Sequence, residues 1–496
     1  MPVDLGNTNP IDPSTPENRT WLSKLRGNIL SGHGRDNTIH VFLRLPADQT
    51  AARRIVRELG STVTSAHKQE LHRKLFKEAG IPGELFRTLL VSANGYRKLG
   101  FDDAALQAAF VEKAAPVPTQ SNFLDGMAAN FAELGDPAKE QWDLGFRDGN
   151  IDLMLLLADD DNERLITEAR QAIDQLEAEC ELVCVERGTA LRTDDGEGIE
   201  HFGYVDGRSQ PLFLTTEFRN LEAGAIGPAT QEASGGSMND WKPFASLGLV
   251  LHEDTLASGT DCFGSYFVFR KLEQNVRDFT IAEQRLADLL DLKDEERERA
   301  GAMVVGRFRD GSPLVKSGSD HHTPVKANDF IYDGATGDVS GAKCPFQAHI
   351  RKTNPRGDTV RELGAPFDDE RGHRIARRGI PYGTRNRHPN AFQALDDLPS
   401  KDVGLLFMCY QSSIRNQFAF MQHSWANNEG FIPHAGDKTG TDPIIGQVGT
   451  PTEDQSWFPT YDDPTGSKKS FFGKFVTMKG GEFFFAPSIP FLTGLN

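Results

Sequence analysis

The sequence predicts an α+β protein of two domains with similar topology, on three observations. The chain has 496 residues, too long for one ordinary domain at roughly 100–200 residues per domain. Apolar residues make up 38% of it, enough for substantial cores. One order of elements (strand, helix, long excursion, buried strand, helix) runs through the chain twice, as an old duplication would leave it, although no residue-level repeat is visible.

Each element has its own pattern. Residues 38–45 are apolar and partly alternating, which reads as a strand, and 49–59 as the helix after it. Residues 151–158 form an apolar run of strand length broken only by Asp152, a strand buried on both faces. Residues 164–179 give an amphipathic helix with Leu165, Ile166, Ala169, Ala172, Ile173 and Leu176 on one stripe, and 181–191 returns as a strand. In the second half, 266–271 reads as a strand and 274–292 as a helix ending in the charged run 293–299. Residues 404–410 read as a second buried strand and 413–425 as the helix that follows it. The Gly-, Ala- and Ser-rich stretch 222–240 is the expected linker. The division is then an N-terminal extension at 1–21, disordered or draped over the surface, a first domain at 22–221, the linker, and a second domain at 241–496. The polar stretches 318–341 and 355–374 look like long loops of the kind that carry function.

Composition narrows the partners. A formal charge of −17 argues against nucleic acid and anionic membrane surfaces. No run of 18 apolar residues suggests a membrane span. The N-terminus lacks the basic start and apolar stretch of a secretory signal, so location stays open between the cytoplasm and export without such a leader. The five cysteines are too few and too odd in number for a disulfide scaffold and read as free thiols. The acidic runs 159–163 and 294–296, and the pair His321-His322, read as solvated. The 33 Phe against 7 Tyr suit an aromatic-lined interior for a large flat ligand, though plain core is the commoner reading.

Three segments carry chemistry. Gly203-Tyr204-Val205-Asp206-Gly207-Arg208-Ser209-Gln210-Pro211 holds an acid between glycines, at a place where tight backbone fixes it. Cys344-Pro345-Phe346-Gln347-Ala348-His349-Ile350-Arg351 sets a histidine among apolar residues, either a satisfied core residue or a ligand. Arg377-Arg378-Gly379-Ile380-Pro381-Tyr382-Gly383 supplies a cation. Singly, Asp206 is a turn-capping acid and Arg377 a solvated charge. In this order and in these frames they resemble the dye-decolorizing peroxidases, a family of haem enzymes. Further frames extend the likeness over roughly residues 22–475: the turn 28–34, the segment 306–314, the buried strand 404–411 and the segment 441–447.

The resemblance implies a pair of ferredoxin-like α+β domains with antiparallel sheets, joined in the manner of a dimeric α+β barrel, with one haem b per chain held in the second domain. The length suggests one of the family's longer subclasses. His349 would be the proximal ligand of the haem iron and Asp442 the carboxylate on its other nitrogen. Asp206 and Arg377 would lie on the distal face as acid–base group and charge stabiliser. Arg351 would meet a haem propionate, and Leu405 and Phe407, two apart on a strand, would cap the distal pocket. Tyr382 and Trp425 are candidates to relay electrons from a surface aromatic, with Trp457 and Tyr332 weaker ones. The expected partners are hydrogen peroxide and dyes or phenolics, with manganese(II) as a further candidate. The oligomeric state is not legible. Two other readings stand beside this one. The first is a haem-binding or haem-processing protein with little turnover. The second is a hydrolase using Asp206 and His349, for which the chain offers no Gly-x-Ser-x-Gly frame.

Overall fold

The structure is a computed structural model. It describes residues 2–110, 122–217, 244–319, 328, 330–334, 337–391, 393–434, 438–447 and 455–496; the expected linker at 222–240 and the His321-His322 pair lie outside them. Among the described residues, ten strands form one antiparallel sheet. They are β1 (Asn37–Arg44), β2 (Phe86–Val91), β3 (Leu153–Asp159), β4 (Glu181–Thr189), β5 (His252–Glu253), β6 (Phe263–Gln274), β7 (Ala376–Arg377), β8 (Ile380–Tyr382), β9 (Gly404–Gln411) and β10 (Val476–Ala486). The spatial order is β8-β9-β6-β10-β2-β3-β1-β4, with β5 on β6 and β7 on β9.

That order contains one motif twice. The first half runs β1, helix α1 (Gln49–Gly60), β2, β3, helix α2 (Asn162–Leu176), β4, arranged in space as β4-β1-β3-β2. The second runs β6, helix α3 (Val276–Leu289), β8, β9, a π-wound helix (Ile414–Ala419 and Met421–Ala426), β10, arranged as β10-β6-β9-β8. Both are the βαββαβ split motif of ferredoxin-like units. They share a sheet because β10 pairs with β6 along its length and meets β2 at Phe485–Val91. At the other edges Gly188 of β4 lies so close to β8 that an added Cβ would stand 2.4 Å from Ile380 Cγ2. The sheet therefore curls toward a barrel. Its interior is aromatic, with Phe42 and Phe269 ring centres 4.9 Å apart and Phe42 and Phe146 5.2 Å.

Local chemistry explains the elements. β3 is buried at every position, as its apolar run requires. Helix α1 starts where Asp48 Oδ1 accepts the Ala51 N–H at 2.7 Å, and α3 where Asn275 Oδ1 accepts that of Asp278 at 3.1 Å. The acids of the run 159–163 are exposed, as a solvated run would be, except Asp159. Asp159 is buried and takes both arms of Arg164 (2.6 and 2.7 Å), Asp160 pairs with Arg35 (2.6 Å), and Asp161 caps α2. The extension 1–21 is draped, not disordered. Ile11 is buried and bonds Phe213 and Thr215 through its backbone, while Pro16–Leu22 forms a helix whose Trp21 packs on Phe263.

All five cysteines are free, Cys184 half-buried and the rest buried. Among the described residues no helix is long and apolar enough to cross a membrane.

Candidate active site

One cavity lies on the face of β6 and β9 turned away from the barrel interior. Leu405 and Phe407 of β9 line it beside their register partners Leu272 and Arg270 of β6. Val305, Ile350, Ile375, Phe418, Met421, Ile444, Ile445 and Val476 complete its apolar walls. Leu405 and Phe407 thus share the face their two-residue spacing predicts. The cavity also takes in Asp206, Arg377 and His349.

Asp206 ends a tightly wound loop. Gly203 and Gly207 both have positive φ (91° and 81°), which a side chain would strain. The half-buried Glu200 carboxylate accepts the N–H groups of Phe202 (2.8 Å) and Tyr204 (3.1 Å), and the Asp206 N–H donates to Gly198 O at 2.9 Å. Arg377 reaches the loop from β7, which is fixed by pairing with Cys409 of β9. Its Nη1 donates to Asp206 Oδ1 at 2.7 Å and its Nη2 to Arg208 O at 2.6 Å. About a third of the Asp206 side chain (36%) stays accessible beside the ion pair. Burial pushes its pKa up, but the Arg377 charge and the Gly207 N–H more than reverse this, and the net shift is downward.

His349 opens a short helix, α4 (His349–Thr353). Its Nδ1 lies 2.8 Å from Asp442 Oδ2. Asp442 is buried, and its other oxygen accepts the N–H groups of Ile444 (2.8 Å) and Ile445 (3.0 Å), so the carboxylate cannot turn away. Burial lowers the His349 pKa, the Asp442 charge and hydrogen bond raise it, and the net is upward. Each of His349 and Asp206 acts electrostatically on the other, as facing groups of one cavity do.

This donor set fits haem. With Nδ1 held by a carboxylate, His349 keeps Nε2 for the cavity, the arrangement of a metal-ligating histidine. The lining supplies apolar walls for a flat macrocycle and, in Arg307, Arg356, Arg374 and Arg208 (the last already paired with Glu197 at 2.9 Å), cations near its carboxylates. Arg307 lies among like charges: burial first, then Arg356 and Arg208, push its pKa down to about 9. An anion in their midst relieves that repulsion. These arginines were not singled out from the sequence, although Arg208 and Arg307 stand inside two of the frames that carried the resemblance. Glu200 was missed as well.

Several expectations need correction. Arg351 does not face the cavity. Its guanidinium is fully buried and taken up by Asp358 (2.7 and 2.8 Å), Asp338 (3.0 Å) and Cys344 O (2.5 Å), between the rings of Tyr332 and Phe346. A propionate finds no free donor there. Tyr382 (8% exposed) and Trp425 (4%) are both buried and neither lines the cavity. Trp425 stacks on Phe431 at 5.1 Å and meets His373 edge-on, while Tyr382 carries Lys271 over its ring. Neither is a surface electron donor. Tyr332 and Trp457 are buried too, and among the described residues no Trp or Tyr is exposed. Two carboxylates near the Asp206 loop, Glu283 and Glu298, both bond Arg309 (2.7 and 3.3 Å). Among the described residues no group of three or more His, Cys, Asp or Glu is placed to hold a metal ion.

Known proteins are similar to this chain in sequence and fold. Residues 250–433 match the family model described as Dyp-type peroxidase, C-terminal. The chain is 43% identical over 502 residues, covering all of both chains, to the multifunctional dye peroxidase DyP2 of Amycolatopsis sp. (strain ATCC 39116 / 75iv2). The solved structure of that protein superposes with a TM-score of 0.87 at 40% identity over 99% of this chain and 100% of the other. A DyP-type peroxidase of Anabaena sp. gives 0.86 at 38% identity over 99% of each chain. With the site geometry and a full-length relative in agreement, the chain belongs to the dye-decolorizing peroxidase family.

Proposed function

We propose that this peroxidase reduces hydrogen peroxide at a haem b, one per chain, held through His349, and that it oxidises dyes and phenolics in turn. The observation that carries the reading is one cavity with a carboxylate-oriented histidine on one side and an ionised Asp–Arg pair on the other. Haem held there through His349 would supply an iron centre able to accept the two oxidising equivalents of peroxide. Everything else falls to the chain. Asp442 holds His349 in one tautomer and strengthens it as a donor. Asp206, ionised, would accept a proton from one peroxide oxygen and return it to the other, which leaves as water. Arg377 orients Asp206 and stabilises negative charge on the separating oxygens. Leu405 and Phe407 keep bulk water from the reacting oxygens. Arg208, Arg307, Arg356 and Arg374 are the proposed propionate partners, in the place first given to Arg351.

The domain division at 22–221 and 241–496 belongs to the same proposal, supported by the repeated strand order. Bulky dyes cannot enter the cavity, so their electrons cross the protein. With Tyr382 and Trp425 buried, either serves only as an interior step. Manganese(II) stays a proposed further reducing substrate, and Glu283 and Glu298, both paired with Arg309, are carboxylates beside the Asp206 loop.

The test is a visible absorption spectrum of haem-loaded protein before and after one equivalent of peroxide, for wild type and His349→Ala. The expected result is a Soret band that peroxide shifts in wild type and that the substitution abolishes or alters. Haem binding without response to peroxide would favour the haem-handling reading, and no haem binding would overturn both.

A further inference from the structure

Arg26 is completely buried, and none of Nε, Nη1 and Nη2 has a hydrogen-bond partner. No other side chain among the described residues leaves a whole charged group unmatched in this way. It also forms no ion pair within 4.0 Å with any described residue. A guanidinium carries five N–H donors and keeps its proton at neutral pH. Buried without a counter-charge, it is among the costliest groups a fold can hold.

The surroundings make the mismatch chemical. Arg26 lies on the segment where Gly27 N–H donates to Thr64 O (2.8 Å) and Arg378 Nε donates to Asn28 O (2.7 Å); Arg378 N–H in turn donates to Met408 O (2.6 Å). Its ionisable neighbours are Tyr410, Tyr96 and Asp254. The hydroxyls of Tyr96 and Tyr410 and the amide nitrogen of Asn28 are buried as well; the Tyr96 hydroxyl has no partner among the described residues, and the Asn28 side chain lies against the Tyr410 hydroxyl. Tyr96 is closed in by the rings of Phe110 (5.0 Å), Phe491 (5.4 Å) and Phe123 (6.3 Å). The nearby acid is poorly suited as counter-ion. Asp254 already accepts the Ser488 N–H at 2.7 Å, and burial pushes its pKa up, toward the neutral acid. Arg26 itself is pushed down by burial only to about 10, so it remains charged. One site thus gathers a cation, two hydroxyls and an amide, and its one nearby carboxylate, Asp254, is already engaged by Ser488. Water satisfies donors but not the charge; a small anion satisfies both.

We propose that Arg26, with Tyr96, Tyr410 and Asn28, forms a buried binding site for a small monovalent inorganic anion of the halide class, separate from the haem cavity. The anion ties the N-terminal segment to the end of β9, through Tyr410, and to the helix Ala93–Lys98 of the first half, through Tyr96. The inference does not depend on the peroxidase reading.

The test is bromide. Crystals of the full chain grown or soaked in sodium bromide are measured at the bromine absorption edge, and the thermal midpoint is followed against bromide concentration for wild type and Arg26→Met. The expected result is an anomalous peak within hydrogen-bond distance of the guanidinium, and a midpoint that rises saturably in wild type but not in the variant. Water alone at Arg26 overturns the proposal. A peak without a saturable midpoint change marks an adventitious ion only and overturns it too. If Arg26→Met does not fold, the wild-type crystals and titration decide the matter.

Discussion

Asp206 does its proposed work only while ionised, and the loop around it is built to keep it so. Its pKa is net lowered, below the ordinary carboxylate value of about 3.9. The base is therefore competent throughout mildly acidic pH and is lost only as pH falls through that lowered pKa. We expect kcat/KM for peroxide to be retained through mildly acidic pH, with its acid limb below the ordinary carboxylate range; an acid limb near neutrality counts against Asp206 as the base. Arg377→Gln removes the charge that holds the pKa down, so the acid limb of the same profile should move to higher pH. Asp206→Asn keeps the shape without the base and should cost on the order of 10²–10⁴-fold in kcat/KM. On the other wall, Asp442→Asn should loosen the histidine. A 10–100-fold loss of haem affinity or activity is the order expected for such a partner, read as the rate of haem transfer to an acceptor protein; an unchanged rate would remove Asp442 from the assignment. Asp206, His349, Arg377 and Asp442 were legible because glycine, proline and neighbouring motifs frame them. The rim arginines were not, since an arginine bound for a cavity looks in sequence like any surface charge. Arg351 misled for a geometric reason: two residues on, a helix has turned roughly 200°, so it points away from the face that carries His349.

The elements that hold these residues differ in how plainly they announce themselves. β1, α1, β3, α2, β6, α3 and β9 showed in periodicity to within a few residues. β10 did not, although it joins the two halves, because Lys479-Gly480-Gly481-Glu482 breaks its apolar run. The structure accommodates the break with a register shift between Met478 and Gly480, where φ is 144°. β2 and the helix Ala66–Ala79 were also missed, the latter because its apolar residues Leu71, Leu75 and Phe76 face out. Glu200 shows how an element can matter without showing in sequence: its carboxylate folds back onto the two N–H groups that shape the Asp206 turn. The same turn makes a prediction at Gly203. A Cβ there would sit 2.7 Å from Arg309 Nη1, at a φ of 91°. Gly203→Ala should cost about 1–2 kcal/mol from backbone strain alone, measured by denaturant unfolding, and should lower peroxide turnover by displacing Asp206. Wild-type stability and turnover in that variant would show that the loop does not position the acid.

For the whole molecule, the shared sheet means that the cavity in the second half rests on packing contributed by the first. The strongest single link is ionic. Asp136, in the first half, takes Arg270 of β6 through two hydrogen bonds (2.8 and 2.5 Å), with both side chains at most 3% exposed. Arg270 also lines the cavity and lies over the Phe418 ring at 5.4 Å. Removing one partner of such a pair strands the other charge in the interior, which costs about 3–5 kcal/mol. Asp136→Ala should therefore destabilise the protein by that order, and Asp136→Asn, which keeps a hydrogen-bond acceptor, by less. Because β10 pairs with β6 and meets β2, the loss should not be confined to one half. Thermal unfolding of the variant, followed by far-ultraviolet circular dichroism and by haem absorbance, should show coincident transitions at a lowered midpoint. If haem absorbance is lost well before the secondary structure, the second half can open while the first stands, and the sheet is two cooperative units that touch rather than one.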